Sequence, residues 1–332
     1  MLTMNQSLLP YKVGGLLYTP AISVGIADKI AQKAYPGLTS MAFCLEDSIK
    51  NESIEQAEIE LHRTLVAIKA KNLDDSERPL IFVRTRTPEH MERVHNQLLD
   101  VEDILTGFIL PKFDLSNGYE YAELIQQVNA GRQRSLYIMP ILERKTIADI
   151  GGRDIILLKT KEILDGIRDY VLNIRVGGND FCHLYGLRRS VNQNIYEIGV
   201  IRDILIDIVN VFAADYIVSG PVWEYFGKDK NGDWAKGLKS ELALDRLNGF
   251  IGKTSIHPSQ LPIIYESMKV SNDDYEDALN ILDWVPENYA VAKSANGSRM
   301  NEMNCHARWA TRIYTLGQIY GIREDESNAT MV

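Results

Sequence analysis

Short apolar runs recur along the chain, and each is followed by a stretch whose apolar positions have helical spacing. Several runs are almost continuous in apolar residues, which is typical of parallel strands covered on both faces. The pattern therefore predicts alternating strands and helices. The eight runs are 15–21, 41–47, 79–86, 104–112, 135–143, 171–180, 215–223 and 249–258.

Eight alternations over about 250 residues predict an α/β protein with a (β/α)₈ TIM barrel. No Gly-x-Gly-x-x-Gly follows the first run, which disfavours an open dinucleotide-binding sheet. Two further helical patterns, at 273–285 and 304–321, come after the barrel. We therefore predict a barrel domain at 1–270 and a C-terminal helical extension at 271–332, with the polar end of the chain, 323–332, disordered.

Composition narrows the classes of partner. The chain has 332 residues and a formal net charge of −9, which disfavours nucleic acid because phosphates are bound by clustered Lys and Arg. Three scattered cysteines do not suit a disulfide framework and fit a reducing compartment. The N-terminus lacks a signal-peptide pattern, and no apolar stretch is long enough to cross a bilayer. These features predict a cytoplasmic protein without a membrane partner.

Polar residues stand where the predicted strands end. In a TIM barrel these ends meet on one face, which carries the active site. Taken singly, each is explained as the first solvated residue of a loop, or, for Asp47, as a helix cap. Acids from three runs together with Arg and Lys from two others instead suit a divalent metal and an anionic substrate. The residues are Thr19, Glu46 with Asp47, Arg84 with Arg86, Lys112, Glu143 with Arg144, Asn179 with Asp180, Ser219 and His257.

Glu143 and Asp180 are the predicted ligands of Mg²⁺ or another divalent cation such as Mn²⁺. Two carboxylates suffice, because Mg²⁺ keeps its other positions for water and substrate oxygens. Glu46 and Asp47 are expected to hold metal-bound waters, to orient Arg84 or to supply a base.

The glycines before Asp180 and the residues around them are predicted to bind substrate. Gly178 and Asn179 lie in the RVGGND segment, where the missing side chains would let a substrate approach the backbone. A tight turn that needs positive φ is the alternative explanation for these glycines.

Two more polar residues have open roles. Lys112 is either an electrostatic ligand of the substrate or the Schiff-base lysine of a metal-free aldolase, and the two acids Glu143 and Asp180 favour the first. His257 is either an acid or base in the site or a structural turn that starts a helix. Cys44 and Cys182 have no histidine nearby in a nucleophile pattern, so core packing is expected.

Seven segments in order give the chain a family resemblance. LLYTPA, CLEDSIK, FVRTR, LPK, ILE, GGND and GFIGKTSIHPSQ resemble the citrate lyase β-subunit and HpcH/HpaI aldolase superfamily over 15–262. NGSRMNEMNCHARWA is similar to the tail of the tellurium-resistance-associated C–C bond lyases. The resemblance implies a TIM barrel, a Mg²⁺-dependent carbon–carbon lyase or the reverse condensation, and a homo-oligomer whose C-terminal segment covers a neighbour's active site.

Carried over by position, the resemblance makes Glu143 and Asp180 the metal ligands and Arg84 the arginine that binds the substrate carboxylate. Glu46 and Asp47 correspond to the acidic pair near the metal, so Arg84, Asp47 and Glu46 are the predicted catalytic residues.

Three departures from the family pattern stand out. Gly14-Gly15 replaces an Arg-Ser pair and weakens the case for a CoA thioester. Arg86 adds a cation on the third strand, and an insertion after Asp180 reshapes the rim.

The sequence thus predicts a Mg²⁺-dependent carbon–carbon lyase or aldolase that forms a metal-stabilised enolate from a 2-oxo acid or an acyl thioester. Arg84, Arg86, Lys112 and His257 would bind the carboxylate substrate. The proton-transfer group stays open among Asp47, His257, a metal-bound water and a residue of another subunit. The alternatives are a Schiff-base aldolase that uses Lys112 and a non-catalytic barrel that binds a metabolite.

Overall fold

The computed structural model describes residues 4–284, 290–294 and 296–323. Contacts divide the chain into two units, Val13–Ile264 and the described residues of Met1–Lys12 with Tyr265–Val332. The predicted division into 1–270 and 271–332 differs from these units, because the described part of Met1–Lys12 groups with the C-terminal residues. The packing of the C-terminal extension on a neighbouring subunit stays a prediction.

The unit Val13–Ile264 is a TIM barrel, as the sequence predicts. Within the described residues, eight parallel strands follow the order β7-β6-β5-β4-β3-β2-β1-β8, and a parallel bridge from Gly220 to Lys253 connects the two ends of the sheet. Each strand lies at one of the eight apolar runs. The strands are β1 Gly15–Pro20, β2 Ser40–Cys44, β3 Leu80–Arg84, β4 Gly107–Leu110, β5 Tyr137–Leu142, β6 Ile174–Val176, β7 Val218–Ser219 and β8 Lys253–Ser255.

Helices alternate with the strands and continue beyond the last one. The α-helices of the described ranges are α1 Met4–Lys12, α2 Ile26–Ala31, α3 Ile54–Ala70, α4 Pro88–Gln97, α5 Gly118–Asn129, α6 Lys145–Ala148, α7 Arg153–Asp165, α8 Gly178–Leu184, α9 Gly199–Phe212, α10 Asp233–Leu247, α11 Leu261–Met268, α12 Asn272–Leu282 and α13 Met303–Tyr320. Short 3₁₀ turns lie at Asn51–Ser53, Leu99–Ile104, Arg168–Tyr170, Ile195–Glu197 and Pro258–Gln260. None of the helices described has the length and apolarity needed to cross a membrane.

The helices pack on the barrel through apolar stripes. In α3 the buried apolar residues Ala57, Leu61, Leu65 and Ile68 recur every three or four positions, which places them on one face. The buried residues of α9 have the same spacing. This packing fixes the strands, and with them the loops at their carboxyl ends.

The C-terminal unit contains the two helices predicted after the barrel. These helices are α12 and α13. Gly317 of α13 leaves room for the Tyr275 ring of α12, because a Cβ at residue 317 would lie only 2.5 Å from that ring. The Tyr320 hydroxyl donates to the Tyr11 carbonyl of α1 at 2.7 Å. The unit also contains an antiparallel pair, β10 Val291–Lys293 with β11 Met300–Glu302, and a parallel pair, β9 Val270–Ser271 with β12 Ile322–Arg323. Val285, which the sequence predicts to be helical, lies outside the described residues. Residues 324–332, which the sequence predicts to be disordered, also lie outside them.

A buried ion cluster joins α10 to β8. The Lys253 ammonium lies 2.9 Å from Glu241 Oε1 and 2.6 Å from Asp245 Oδ2, and all three residues are almost fully buried. Asp245 also accepts a hydrogen bond of 2.6 Å from the Tyr196 hydroxyl. Burial raises the pKa of Asp245, and the Lys253 charge opposes that rise. The lysine therefore holds two carboxylates that have no access to water.

Lys253→Met should destabilise the barrel by about 3–5 kcal/mol, because it leaves the buried Asp245 carboxylate without a cation and leaves Glu241 with Arg189 alone. Urea unfolding followed by circular dichroism measures the change. Lys236→Met is the matched control, because Lys236 is an exposed lysine of α10, the helix that carries Glu241 and Asp245. Equal unfolding midpoints for the two variants would contradict a stabilising role of the cluster.

Candidate active site

A cavity of about 440 Å³ opens at the carboxyl ends of the barrel strands. Asp47 follows β2, Arg84 ends β3, Glu143 follows β5, and Asp180 lies in α8 just after β6; all four line the cavity. Arg175, within β6, forms part of the same wall. The fold thus brings residues that are far apart in sequence to one concave site.

Arg84 is the centre of the acidic cluster. Its Nη2 atom lies 2.9 Å from Glu46 Oε2, 3.0 Å from Asp47 Oδ2 and 3.4 Å from Glu143 Oε1. The residue is 7% exposed, and although burial disfavours its charge, Tyr18, Glu143 and Glu46 raise its pKa above the ordinary value. Its Nε atom is buried and has no hydrogen-bond partner within the described chain.

Lys112 lies two residues after β4 and contacts two of these acids, Glu143 and Glu46. Its φ of 51° lies in the left-handed region, which is uncommon for a side-chain-bearing residue. In this conformation the Lys112 backbone N–H donates to Glu143 Oε1 at 2.8 Å, and the ammonium bonds Glu46 Oε1. Burial disfavours the charge of Lys112, but the hydrogen bond to Glu46 and the nearby acids raise its pKa. An imine-forming lysine needs the opposite shift.

Glu143 and Asp180 face each other across Gly177. A Cβ at Gly177 would lie 2.7 Å from Glu143 Oε2 and 2.9 Å from Asp180 Oδ2, so both oxygens border the same small volume. Burial raises the pKa of Glu143 to about 8; the Arg84 charge opposes this rise and the Asp180 charge adds to it. Burial and the Asp47 charge likewise raise the pKa of Asp180.

The two glycines of this segment serve close packing. Gly177 has a φ of −92°, and Gly178 is not among the positive-φ residues, so the tight-turn explanation is wrong. A Cβ at Gly178 would overlap Ile195 and Pro221, at 2.6 and 2.7 Å. Gly178 and Asn179 both line the cavity, as a substrate-binding role requires.

The paired carboxylates fit a hard divalent cation. Carboxylate oxygens are the ligands that Mg²⁺ prefers, and a cation beside them would relieve the repulsion that raises their pKa values. The described residues contain no group of three or more His, Cys, Asp or Glu arranged to hold a metal. A metal here would therefore have two protein carboxylates and complete its coordination with water and substrate.

Comparison with known proteins identifies the family. The sequence matches the model of the C–C bond lyases of the TIM-barrel fold over residues 7–322. The chain belongs to this family. A search of curated proteins finds no significant match.

Solved structures with the same fold support the assignment. CitE of Mycobacterium tuberculosis, in complex with magnesium, acetoacetate and coenzyme A, is 17% identical, with a TM-score of 0.60 over 92% of this chain and 99% of that chain. A citrate lyase of Burkholderia xenovorans is 16% identical, with a TM-score of 0.66 over 94% of each chain. RipC of Yersinia pestis is 16% identical, with a TM-score of 0.53 over 79% of this chain and 98% of that chain. At these identities the likeness shows the fold alone, while the family model confirms the predicted C–C bond lyase branch.

Arg86 of this C–C bond lyase bonds the loop that follows β2. Its guanidinium donates to the Leu45 carbonyl at 2.7 Å, to Asn51 Oδ1 at 2.5 Å and to the Ile49 carbonyl at 2.6 Å. These bonds hold the loop that carries Glu46 and Asp47. Arg86 is not among the residues that line the cavity, and its predicted role in substrate binding stays a prediction.

His257 differs from its predicted role in substrate binding. Its Nδ1 accepts a hydrogen bond from the Ser259 backbone N–H at 3.1 Å and so caps the turn Pro258–Gln260. Its ring stacks on Phe226 with centroids 4.4 Å apart. The structural alternative considered for His257 therefore matches the structure, while Thr254 and Ile256 from the same region line the cavity.

The rule that site residues lie where the predicted strands end misses Arg175, Tyr18 and Thr254, which also line the cavity. Arg175 is 1% exposed, and its Nη2 donates to Thr254 Oγ1 at 2.6 Å. The sequence did contain a signal, since an arginine within an apolar strand must point into the barrel when helices cover the outside.

Gly177→Ala should separate Glu143 from Asp180, because the new Cβ would lie 2.3 Å from Glu143 Cβ. We expect a loss of about 1–3 kcal/mol in the free energy of unfolding, as for other overpacked sites, together with weaker binding of Mg²⁺. Urea unfolding and calorimetric Mg²⁺ titration measure the two effects. Gly199→Ala is the control, since the atom nearest to the new Cβ would be Arg202 Nη2 at 4.0 Å. Equal stability and equal Mg²⁺ affinity of the two variants would refute the close approach of Glu143 and Asp180 at Gly177.

Proposed function

We propose that this C–C bond lyase breaks or forms a carbon–carbon bond in a 2-oxo acid or acyl thioester, with Mg²⁺ or a similar divalent cation held by Glu143 and Asp180. The pairing of these two carboxylates across Gly177, inside the cavity and beside Arg84, carries the proposal. Fold relatives bind magnesium together with oxaloacetate, pyruvate or acetoacetate. These relatives support a small carboxylate as the substrate.

The divalent cation would supply Lewis-acid stabilisation of the enolate oxygen, a contribution of several kcal/mol in such sites. Arg84 binds the carboxylate end of the substrate through its free Nε edge. Its Nη2 edge is held by Glu46, Asp47 and Glu143, so the guanidinium is oriented before substrate arrives.

Asp47 is the proposed proton acceptor. It lines the cavity and is partly exposed, whereas Glu46 is buried behind it. Burial disfavours the charged form of Asp47, but the hydrogen bond with Glu46 and the charges of Arg84 and Lys112 lower its pKa. Asp47 is therefore ionised at neutral pH, as a proton acceptor must be, although the lowered pKa also makes it a weaker base. Lys112 and Glu46 keep it in place.

Glu143→Gln and Asp180→Asn should each weaken Mg²⁺ binding at least about tenfold and abolish turnover while the protein stays folded. Calorimetric Mg²⁺ titration tests the binding, and a screen of 2-oxo acids and acyl-CoAs, followed by product analysis, tests the turnover. Asp203→Asn is the matched control, an exposed acid of α9 that pairs with Arg202. Wild-type Mg²⁺ affinity in both site variants would overturn the assignment of Glu143 and Asp180 as metal ligands.

Borohydride with substrate should trap no adduct on Lys112, and a chelator should remove the activity. The reason is that the Lys112 ammonium is paired with Glu46 and stays protonated. Mass spectrometry of the reduced protein and assays with and without EDTA make the two measurements. A trapped adduct on Lys112, with activity unaffected by EDTA, would show a Schiff-base aldolase instead.

A further inference from the structure

Arg175 is a buried cation with most of its hydrogen-bonding capacity unused. Of its three nitrogens, Nη2 donates to Thr254 Oγ1, while Nε and Nη1 are buried and have no partner within the described chain. A guanidinium keeps its charge in proteins, and a buried donor without a partner costs free energy. A charged arginine with unpaired donors on the wall of a cavity indicates a ligand that accepts hydrogen bonds from those donors.

The acids of the cavity are engaged elsewhere. Glu46, Asp47 and Glu143 contact Arg84, and Asp180 faces Glu143 across Gly177. Across the described residues, no carboxylate forms an ion pair with Arg175. The positive charge of Arg175 therefore has no counter-ion supplied by this part of the protein.

The position of Arg175 separates it from the acidic cluster. It lies within β6, before Gly177 and Asp180, and so deeper in the barrel than the strand ends. Its head group reaches Thr254 of β8 and neighbours the Tyr18 phenol of β1. The acids come instead from the segments after β2, β5 and β6. The cavity thus has an acidic end for a metal and a cationic pocket towards β8 and β1.

We propose that Arg175 binds a second carboxylate of the substrate, which makes the substrate of this lyase a dicarboxylic acid. Arg175 would then be a specificity-determining residue, with Tyr18 and Thr254 beside the same group. A carboxylate matches the planar guanidinium, and a cavity of about 440 Å³ is large enough for a small diacid. The inference rests on the proposed function for the first carboxylate, which lies at the metal and Arg84.

Binding of matched acids to the Mg²⁺-loaded wild-type protein tests the inference. The diacids are oxaloacetate and 2-oxoglutarate, and the monoacids of the same shape are 4-methyl-2-oxopentanoate and 5-methyl-2-oxohexanoate. Each pair shares the 2-oxo acid end and differs only at the far end, where a carboxylate is replaced by an isopropyl group. We expect at least one diacid to bind about tenfold or more tightly than its partner in calorimetry. Equal or weaker binding of both diacids would overturn the inference.

Two substitutions assign the preference to Arg175. Arg175→Met, which removes the charge and keeps much of the volume, should abolish the preference for the diacid while leaving Mg²⁺ and monoacid affinities unchanged. Arg175→Lys should keep part of the preference. If Arg175→Met keeps the full preference for the diacid over the monoacid, the assignment of that preference to Arg175 is overturned. If Arg175→Met does not fold, the preference of Arg175→Lys, compared with that of the wild-type protein, decides.

The titration with Mg²⁺ alone keeps the two proposals apart. Failure of the wild-type protein to bind Mg²⁺ would overturn the proposed function, and the inference about Arg175 with it. Mg²⁺ binding with no preference for diacids would overturn only the inference and leave the metal-dependent lyase in place.

Discussion

The active-site end of this protein depends on the attraction between one buried arginine and a group of carboxylates that would otherwise repel one another. Arg84 lies within 3.4 Å of Glu46, Asp47 and Glu143, and Asp180 lies next to Glu143. Arg84 and Lys112 together carry two positive charges against these four acids. Burial raises the pKa values of Glu143 and Asp180, and repulsion from neighbouring acids adds to the rise. A dication is the simplest group that would balance this repulsion.

Backbone geometry makes this crowding possible. Gly177 has no side chain where Glu143 and Asp180 meet, and Lys112 adopts a left-handed conformation with its N–H donating to Glu143. Arg86 holds the loop that carries Glu46 and Asp47 through three hydrogen bonds. The acids are therefore fixed by the surrounding protein, and this pre-organisation would let a metal site work with only two direct ligands.

The sequence predicts the barrel and most of the site for a simple physical reason. Buried parallel strands need continuous apolar runs, and the carboxyl ends of these strands must converge in a barrel. The sequence pattern therefore predicts that strand-end residues such as Glu143 and Asp180 lie close together. The rule fails where the chain has left the strand. Arg86 and His257 lie beyond β3 and β8, and the direction of their side chains depends on loop contacts that periodicity does not encode. It also misses Arg175, which lies inside a strand rather than at its end.

The barrel contains a second buried charge cluster, and comparing the two explains why one is structural and the other marks a ligand site. Lys253 and Arg189 contact Glu241, and Lys253 also contacts Asp245, so two cations meet two acids with no charge left over. The charges of this cluster balance without a ligand, although Arg189 Nε and Nη1 also have no hydrogen-bond partner within the described chain, and the cluster stabilises the packing of α10. The cavity is lined both by surplus acids and by a cation without a counter-ion, Arg175. Burying uncompensated charge costs stability, so a protein keeps it where binding supplies the missing charge. These two kinds of imbalance in one cavity therefore favour a ligand set that is itself divided, with a cation for the acids and an anion for the arginine.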